Sequence, residues 1–159
     1  RLIATANARL RSEGAPFAPT FMNSLRKGLR VVVLTSWFYE FDSRVKPQLP
    51  YAVFPLETPF WMMAGLASRT RLPNGEERLS VAIVTVEPNE VLTSVGHHRS
   101  PALLRSPNEA LAWMRESPET ALSLLRSYPD ETMGVEPVPM GIKIPGNQAV
   151  ELPGVLRNR

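Results

Sequence analysis

The sequence contains no cysteine, and its only histidines are the adjacent pair His97 and His98. Disulfide bonds and thiolate metal sites within the chain are therefore excluded. Neighbouring histidine side chains diverge, and the sequence offers them no obvious third ligand, so we expect no metal site and no cofactor. No run of about 18 apolar residues is present either, so we expect no membrane-spanning helix. These absences favour a cytoplasmic protein.

Aromatic residues are few, at 8%, but the hydrophobic and charged fractions of 43% and 21% are ordinary for a globular protein. The length of 159 residues fits one domain. We therefore predict a single domain over residues 1–159, with the Pro/Gly-rich stretch 129–159 as its C-terminal tail. Because the chain begins with Arg1 and not methionine, we expect a segment to be missing in front of it.

Positive charge is concentrated at the start of the sequence. Residues 1–30 carry six basic side chains and a single acidic one, Glu13, whereas the rest of the chain is slightly acidic. A basic N-terminal region suits a polyanion such as nucleic acid. A solvated surface whose acidic partners come from elsewhere in the fold is the alternative.

The hydrophobic pattern predicts strands first and helices later. Apolar, β-branched or aromatic runs predict strands over 29–35, 37–41, 50–55, 60–68 and 79–87, and Pro73-Asn74-Gly75 predicts a turn. Helices are predicted over 87–96, 106–117 and 117–128, and possible edge strands over 141–145 and 149–153. This order predicts an α+β fold with a mainly antiparallel sheet or barrel-like core and short flanking helices.

Glu40 is the most unusual candidate for a functional residue. It lies in the aromatic stretch SWFYEFDS, residues 36–43. Strand alternation puts Phe38 on the same face as Glu40, with Trp37, Tyr39 and Phe41 on the other. Glu40 either faces water or is a semi-buried carboxyl whose raised pKa suits a general acid or base.

Two other segments carry candidate chemistry. Asn7 and Arg9 lie in a segment without a clear helical or strand pattern, which is either a basic surface loop or a phosphate contact with an orienting amide. His97, His98 and Arg99 follow Gly96, which is a helix-stopping residue, and a histidine in such a loop suits proton transfer.

The order of these motifs resembles the SRAP family, the SOS response-associated peptidase domains. The matching segments are Asn7-Ala8-Arg9, Phe38-Tyr39-Glu40-Phe41, Ala64-Gly65-Leu66 and the loop from His97 to Pro101. The resemblance covers roughly residues 7–115. Trp37, Phe41, Ala67 and Ser100 depart from the usual family residues, which indicates a divergent, phage-type member.

The resemblance implies a function in the DNA-damage response. SRAP proteins bind abasic sites in single-stranded DNA, and their N-terminal cysteine forms a stable thiazolidine cross-link with the open sugar. The family is also thought to remove its own N-terminal methionine. The resemblance thus implies an enzyme in its complete form, of peptidase or abasic-site lyase type, that works as a cytoplasmic, nucleoid-associated monomer.

The resemblance also implies roles for individual residues. Glu40, His97 and Asn7 would be catalytic: His97 would protonate the sugar oxygen, Glu40 would move protons at the amine and Asn7 would orient it. The family spacing to Arg99 selects His97 over His98. The expected DNA contacts are Arg9 and Arg99 to phosphates and Trp37 and Phe38 to bases.

The family's nucleophilic cysteine is absent from this sequence. Either the segment that carries it is missing, which the Arg1 start favours, or this homologue has lost it and is a non-covalent single-stranded DNA-binding module. An unrelated hydrolase that uses Glu40 and His97 with water is a third alternative.

Overall fold

The computed structural model of the protein describes residues 6–143. Contacts divide these residues into two compact units. The first unit holds residues 6–34, 62–86 and 101–127, and the second holds residues 35–61, 87–100 and 128–143. The prediction of a single domain over 1–159 stays a prediction.

A six-stranded sheet lies mainly in the first unit. Its main strands lie in the order β1 (Asn7–Arg9), β6 (Glu77–Val86), β5 (Trp61–Arg71) and β2 (Arg30–Thr35), and the two-residue strands β7 (Ser100–Pro101) and β8 (Leu103–Leu104) pair with β6 and β5. The hairpin of β5 and β6 is antiparallel, and β1 runs parallel to β6. The turn predicted at residues 73–75 lies in this hairpin, where Gly75 takes a φ of 87° that glycine adopts without strain.

Three short helices complete the first unit: α1 (Pro19–Arg26), α3 (Pro107–Arg115) and α4 (Pro118–Ser123). The hydroxyls of Ser106 and Ser117 accept the N–H groups of Glu109 and Thr120, so the two Ser-Pro starts are helix caps as predicted. Helix α1 has no side-chain cap and was not predicted.

Helix α4 ends at Ser123, five residues before the predicted end at 128. Tyr128 precedes Pro129, and a residue before proline is disfavoured in the helical region. Helix α2 (Glu90–Ser94) of the second unit is likewise shorter than the predicted 87–96, because Asn89 caps it through an oxygen that accepts the Leu92 N–H.

The hydrophobic core of the first unit lies between its sheet and its helices. Trp113 of α3 is fully buried, and its Nε1–H donates to the carbonyl of Val31 on β2 at 2.9 Å. Other large residues buried in this core come from five elements or loops and include Phe17, Leu25, Leu66, Val84 and Leu104. The apolar runs predicted as strands thus supply the sheet side of the core.

The second unit contains a three-stranded antiparallel sheet in the order β3 (Phe38–Asp42), β4 (Leu49–Pro55) and β9 (Met133–Pro137). Its small core consists of Ala52, Phe54 and Val138, with Trp37 and Tyr39 packed against it. The fold is therefore α+β with mainly antiparallel sheets and short helices, as the sequence predicts.

The predictions for the tail need correction. Among the tail residues that the structure describes, 129–143, the strand is β9, which the sequence analysis missed. The predicted edge strand at 141–145 is wrong in its first half because Met140–Lys143 form a 3₁₀ turn. The predicted strand at 149–153 lies outside the described residues.

Candidate functional site

Glu40 occupies the middle of strand β3, opposite Tyr51 on β4. The alternation predicted from the sequence is present: Trp37 and Tyr39 pack against the small core of the second unit, which leaves Phe38 and Glu40 on the other face of the strand. On that face, Phe38 packs against Trp61 with ring centroids 5.7 Å apart, and Trp61 contacts Tyr128 edge to face at 6.0 Å. Glu40 therefore lies in a partly apolar environment, and its side chain is only 15% exposed.

His97 follows helix α2 directly. The last turn closes through hydrogen bonds from the Gly96 N–H to the Thr93 carbonyl and from the His97 N–H to the Leu92 carbonyl, both 3.0 Å long. Gly96 takes a φ of 75°, a left-handed conformation that suits glycine at a helix end. This reversal directs the chain so that the His97 side chain reaches strand β3.

The two side chains meet: Nδ1 of His97 lies 2.8 Å from Oε2 of Glu40. Burial raises the pKa of Glu40 from 4.5 to about 7. Burial and, to a smaller extent, the charge of His98 lower the pKa of His97. Both shifts favour the uncharged forms, so burial works against an ion pair between the carboxylate and the imidazolium.

This arrangement can both give and accept a proton. When Glu40 is protonated, its hydroxyl donates to Nδ1 of His97. When Glu40 is ionised, the Nδ1–H donates to Oε2, and Nε2 is then the imidazole's acceptor. A carboxyl with a pKa near the working pH is well suited to general acid–base catalysis.

His98, the alternative to His97, does not occupy this position. It is exposed, whereas the His97 side chain is 34% exposed and contacts Glu40. The geometry therefore favours His97 as the imidazole of the site, and its catalytic role stays a prediction.

Asp42 and Arg44 adjoin the pair and were missed by the sequence analysis. Arg44 donates from Nε and from its terminal NH2 to the two oxygens of Asp42, at 2.9 and 2.7 Å, and its backbone N–H donates to Oδ1 at 2.9 Å. These hydrogen bonds lower the pKa of Asp42, which is buried at the end of β3. The available signal was Asp-Ser-Arg two residues after Glu40, since alternation puts Asp42 on the face of Glu40.

Arg99 is paired within the second unit. Its guanidinium donates to the carboxylate of Glu87, and the Arg99 side chain is 13% exposed while that of Glu87 is 73% exposed. Its predicted role as a phosphate contact stays a prediction, and a phosphate would have to compete with an exposed carboxylate.

Asn7 and Arg9 belong to the first unit. Both residues are exposed and flank the buried Ala8 on strand β1, where they lie opposite Ile83 and Thr85 of β6. The segment is therefore a short strand, although its sequence shows no clear strand pattern. The structure brings together Glu40 and His97 among the predicted catalytic residues, and the role of Asn7 beside them stays a prediction.

Within residues 6–143, no group of three or more His, Cys, Asp or Glu side chains is arranged to hold a metal ion. No helix in this part of the chain is long and apolar enough to span a membrane.

Known proteins show clear similarity to this chain. An abasic site processing protein of Bacillus subtilis, YoqW, is 28% identical over 137 residues, which cover 81% of this chain and 60% of the relative. The abasic site processing protein HMCES of Xenopus tropicalis is 32% identical over 136 residues, covering 72% of this chain and 40% of the relative. The chain thus spans about 60% or less of the length of these two curated relatives.

Solved structures share the fold. A Bacteroides thetaiotaomicron protein superposes with a TM-score of 0.75 and 25% identity, covering 86% of this chain and 60% of that one. A phage-related protein of Bordetella bronchiseptica gives a TM-score of 0.62 and 25% identity, covering 84% and 63%.

The family comparison agrees with the ordered motifs. The sequence pattern of SOS response associated peptidase (SRAP) matches residues 3–144, which is most of the chain. The chain therefore belongs to the SRAP family.

Proposed function

We propose that the complete protein recognises abasic sites in single-stranded DNA and becomes covalently joined to them through an N-terminal cysteine that this sequence does not contain. The names of two relatives, both abasic site processing proteins, support abasic DNA as the substrate. The observation that carries the chemistry is the Glu40–His97 pair, with its 2.8 Å contact and its carboxyl of pKa about 7.

The proposed reaction begins with the open-chain aldehyde of the abasic sugar. The cysteine amine adds to C1′ to give a carbinolamine, which loses water to form a Schiff base. The thiol then adds to the imine carbon and closes a thiazolidine. The dehydration needs a proton for the departing hydroxyl, and the accompanying deprotonation of nitrogen needs an acceptor.

Glu40 and His97 are suited to both transfers. Neutral Glu40 gives its proton to the departing oxygen, and the resulting carboxylate takes up the proton that the nitrogen releases, directly or through His97, so the pair ends the dehydration in its starting state. Because burial raises the pKa of Glu40 and lowers that of His97, the neutral carboxyl is the proton donor of the pair, while the neutral imidazole relays protons to it. The same pair would assist opening of the sugar ring and removal of the initiating methionine in the associated peptidase activity.

The remaining predicted residues would bind the DNA and orient the reactants. Asn7 would hydrogen-bond the amine or the sugar, and Arg9 and Arg99 would contact phosphates that flank the lesion. Trp37 and Phe38 are half-buried, so each retains accessible ring surface on which a base could stack.

A cross-linking assay tests the proposal. The complete protein, expressed from its own gene, is incubated with single-stranded DNA that carries one abasic site, and heat- and denaturant-resistant adducts are counted on a gel. We expect an adduct with abasic DNA and none with intact DNA. Tight binding without an adduct would support the non-covalent binding module instead.

The two histidines provide a matched pair of variants for the same assay. His97→Gln removes the imidazole that contacts Glu40, so we expect cross-linking to slow about a hundredfold or more, the usual range for a lost acid–base group. His98→Gln changes an exposed neighbour and should slow the reaction far less. Equal effects of the two substitutions would contradict the assignment of His97.

A further inference from the structure

The loop that carries His97 depends on contacts outside its own helix. Helix α2 has five residues, which is too short to be stable in isolation. The orientation of Gly96 and His97 must therefore be fixed by what packs against the end of this helix.

The Asp42–Arg44 pair supplies such a contact. The terminal NH2 of Arg44 donates to the carbonyl of Ser94, the last residue of α2, at 2.8 Å. A cation at a helix C-terminus is favourable because the last carbonyls carry partial negative charge. The same NH2 group bonds Oδ2 of Asp42, so one guanidinium joins strand β3 to the end of α2.

Gly96 packs directly against this pair. A Cβ atom at position 96 would overlap Oδ1 of Asp42 and lie 2.7 Å from Nε of Arg44. The backbone next to His97 therefore lies against the carboxylate–guanidinium pair. Asp42 is two residues after Glu40 on β3, so the same strand carries both the partner of His97 and the support of its loop.

We propose that Asp42 and Arg44 are positioning residues that hold the Gly96–His97 loop where the His97 imidazole meets Glu40. Neither side chain needs to touch the DNA. Their importance for cross-linking rests on the proposed function, whereas their effect on the Glu40–His97 contact does not.

NMR spectroscopy tests the geometric part without DNA. The imidazole nitrogen signals of His97 and the side-chain carboxyl signal of Glu40 are followed across a pH titration in the wild type and in Arg44→Ala, with His98→Gln used to assign the imidazoles. Loss of the Arg44 bridge between strand β3 and helix α2 should expose Glu40 and His97 to water. We therefore expect the pKa of Glu40 to fall and that of His97 to rise toward their ordinary values. Added guanidinium ion at millimolar concentration should partly reverse both changes.

A charge-matched control separates positioning from general electrostatics. Lys46→Ala removes an exposed positive charge two residues away from Arg44 and should leave both titrations unchanged. Gly96→Ala, which forces the loop away from Asp42, should reproduce the effect of Arg44→Ala if it folds, as judged by circular dichroism. Titrations in Arg44→Ala that match the wild type would overturn the proposal.

Cross-linking kinetics then test whether the contacts of Asp42 and Arg44 matter for activity. We expect Arg44→Ala to slow adduct formation by about tenfold to a hundredfold, the range typical of a misplaced catalytic group, and to shift its pH profile. If no variant, wild type included, forms an adduct, the proposed function fails while the NMR result still decides the positioning role. If adducts form at the wild-type rate and pH profile in Arg44→Ala, the positioning proposal fails alone.

Discussion

At the scale of single residues, the main feature is the carboxyl of Glu40, whose surroundings favour its uncharged form. Phe38 shares the face of Glu40, and an imidazole with lowered pKa occupies one side of the carboxyl. Desolvation therefore dominates over the attraction that a charged partner would provide. A group of this kind has a measurable signature in the stability of the protein.

Glu40 should contribute a loss of stability as the pH rises from about 4.5 to 7. In this window the unfolded chain releases the Glu40 proton while the folded chain retains it, so rising pH favours unfolding until the folded pKa of about 7 is passed. The shift corresponds to at most about 3 kcal/mol at pH 8. Glu40→Gln cannot titrate and should lose this dependence.

Urea unfolding at a series of pH values checks this expectation. The free energy of unfolding of Glu40→Gln minus that of the wild type should increase by up to about 3 kcal/mol from pH 4 to pH 8. Subtraction cancels the titration of groups that do not contact Glu40. A difference that stays constant across this range would show that Glu40 titrates at its ordinary pKa in the folded protein.

At the scale of elements, sequence patterns predicted those parts of the fold that are fixed by local chemistry. The Ser-Pro helix starts, the Pro-Asn-Gly turn and the apolar strands β5 and β6 were all identified, because caps, turn residues and buried runs leave local signals. Strand β9 was not, since its Met-Gly-Val-Glu-Pro sequence becomes a strand only by pairing with β4.

The candidate site shows the same limit. The aromatic strand around Glu40 and the family spacing of His97 were readable from the sequence. The contact of Arg44 with Ser94 and the close approach of Gly96 to Asp42 were not, because they join residues about 50 positions apart through packing. The sequence alone does not show that such residues lie close together, unless a family resemblance identifies them as parts of one site.

The cap of helix α3 offers a test at this scale. Ser106 accepts the Glu109 N–H at 3.2 Å, and the Glu109 carboxylate accepts the Arg105 N–H at 2.8 Å. We expect Ser106→Ala to lower the free energy of unfolding by about 1 kcal/mol and Ser106→Asn, another good cap, to restore most of it. Thermal unfolding followed by circular dichroism measures both, and equal losses in the two variants would contradict the capping role.

At the scale of the whole molecule, the basic N-terminal region is less available than its composition indicates. Arg30 is 8% exposed, and its guanidinium donates to the carbonyl of Leu25 in α1 and to that of Glu116 next to α3. It therefore stabilises two helix ends. The exposed basic residues among the first 30 that the structure describes are Arg9, Arg11, Arg26 and Lys27.

Arg9 is the member of this set that the family resemblance places near DNA, and salt titration can isolate its contribution. Each phosphate neutralised by a protein cation releases counterions, so the logarithm of the binding constant falls linearly with the logarithm of salt concentration. Replacing Arg9 with alanine should make this slope shallower by about 0.7, the value for one contact to a single strand. Arg115, an exposed arginine at the end of α3, serves as the matched control, and Arg115→Ala should leave the slope unchanged. Fluorescence anisotropy with a labelled single strand measures both slopes. Identical changes in slope for the two variants would mean that DNA binding depends on the net charge of the protein and not on the position of Arg9 on strand β1.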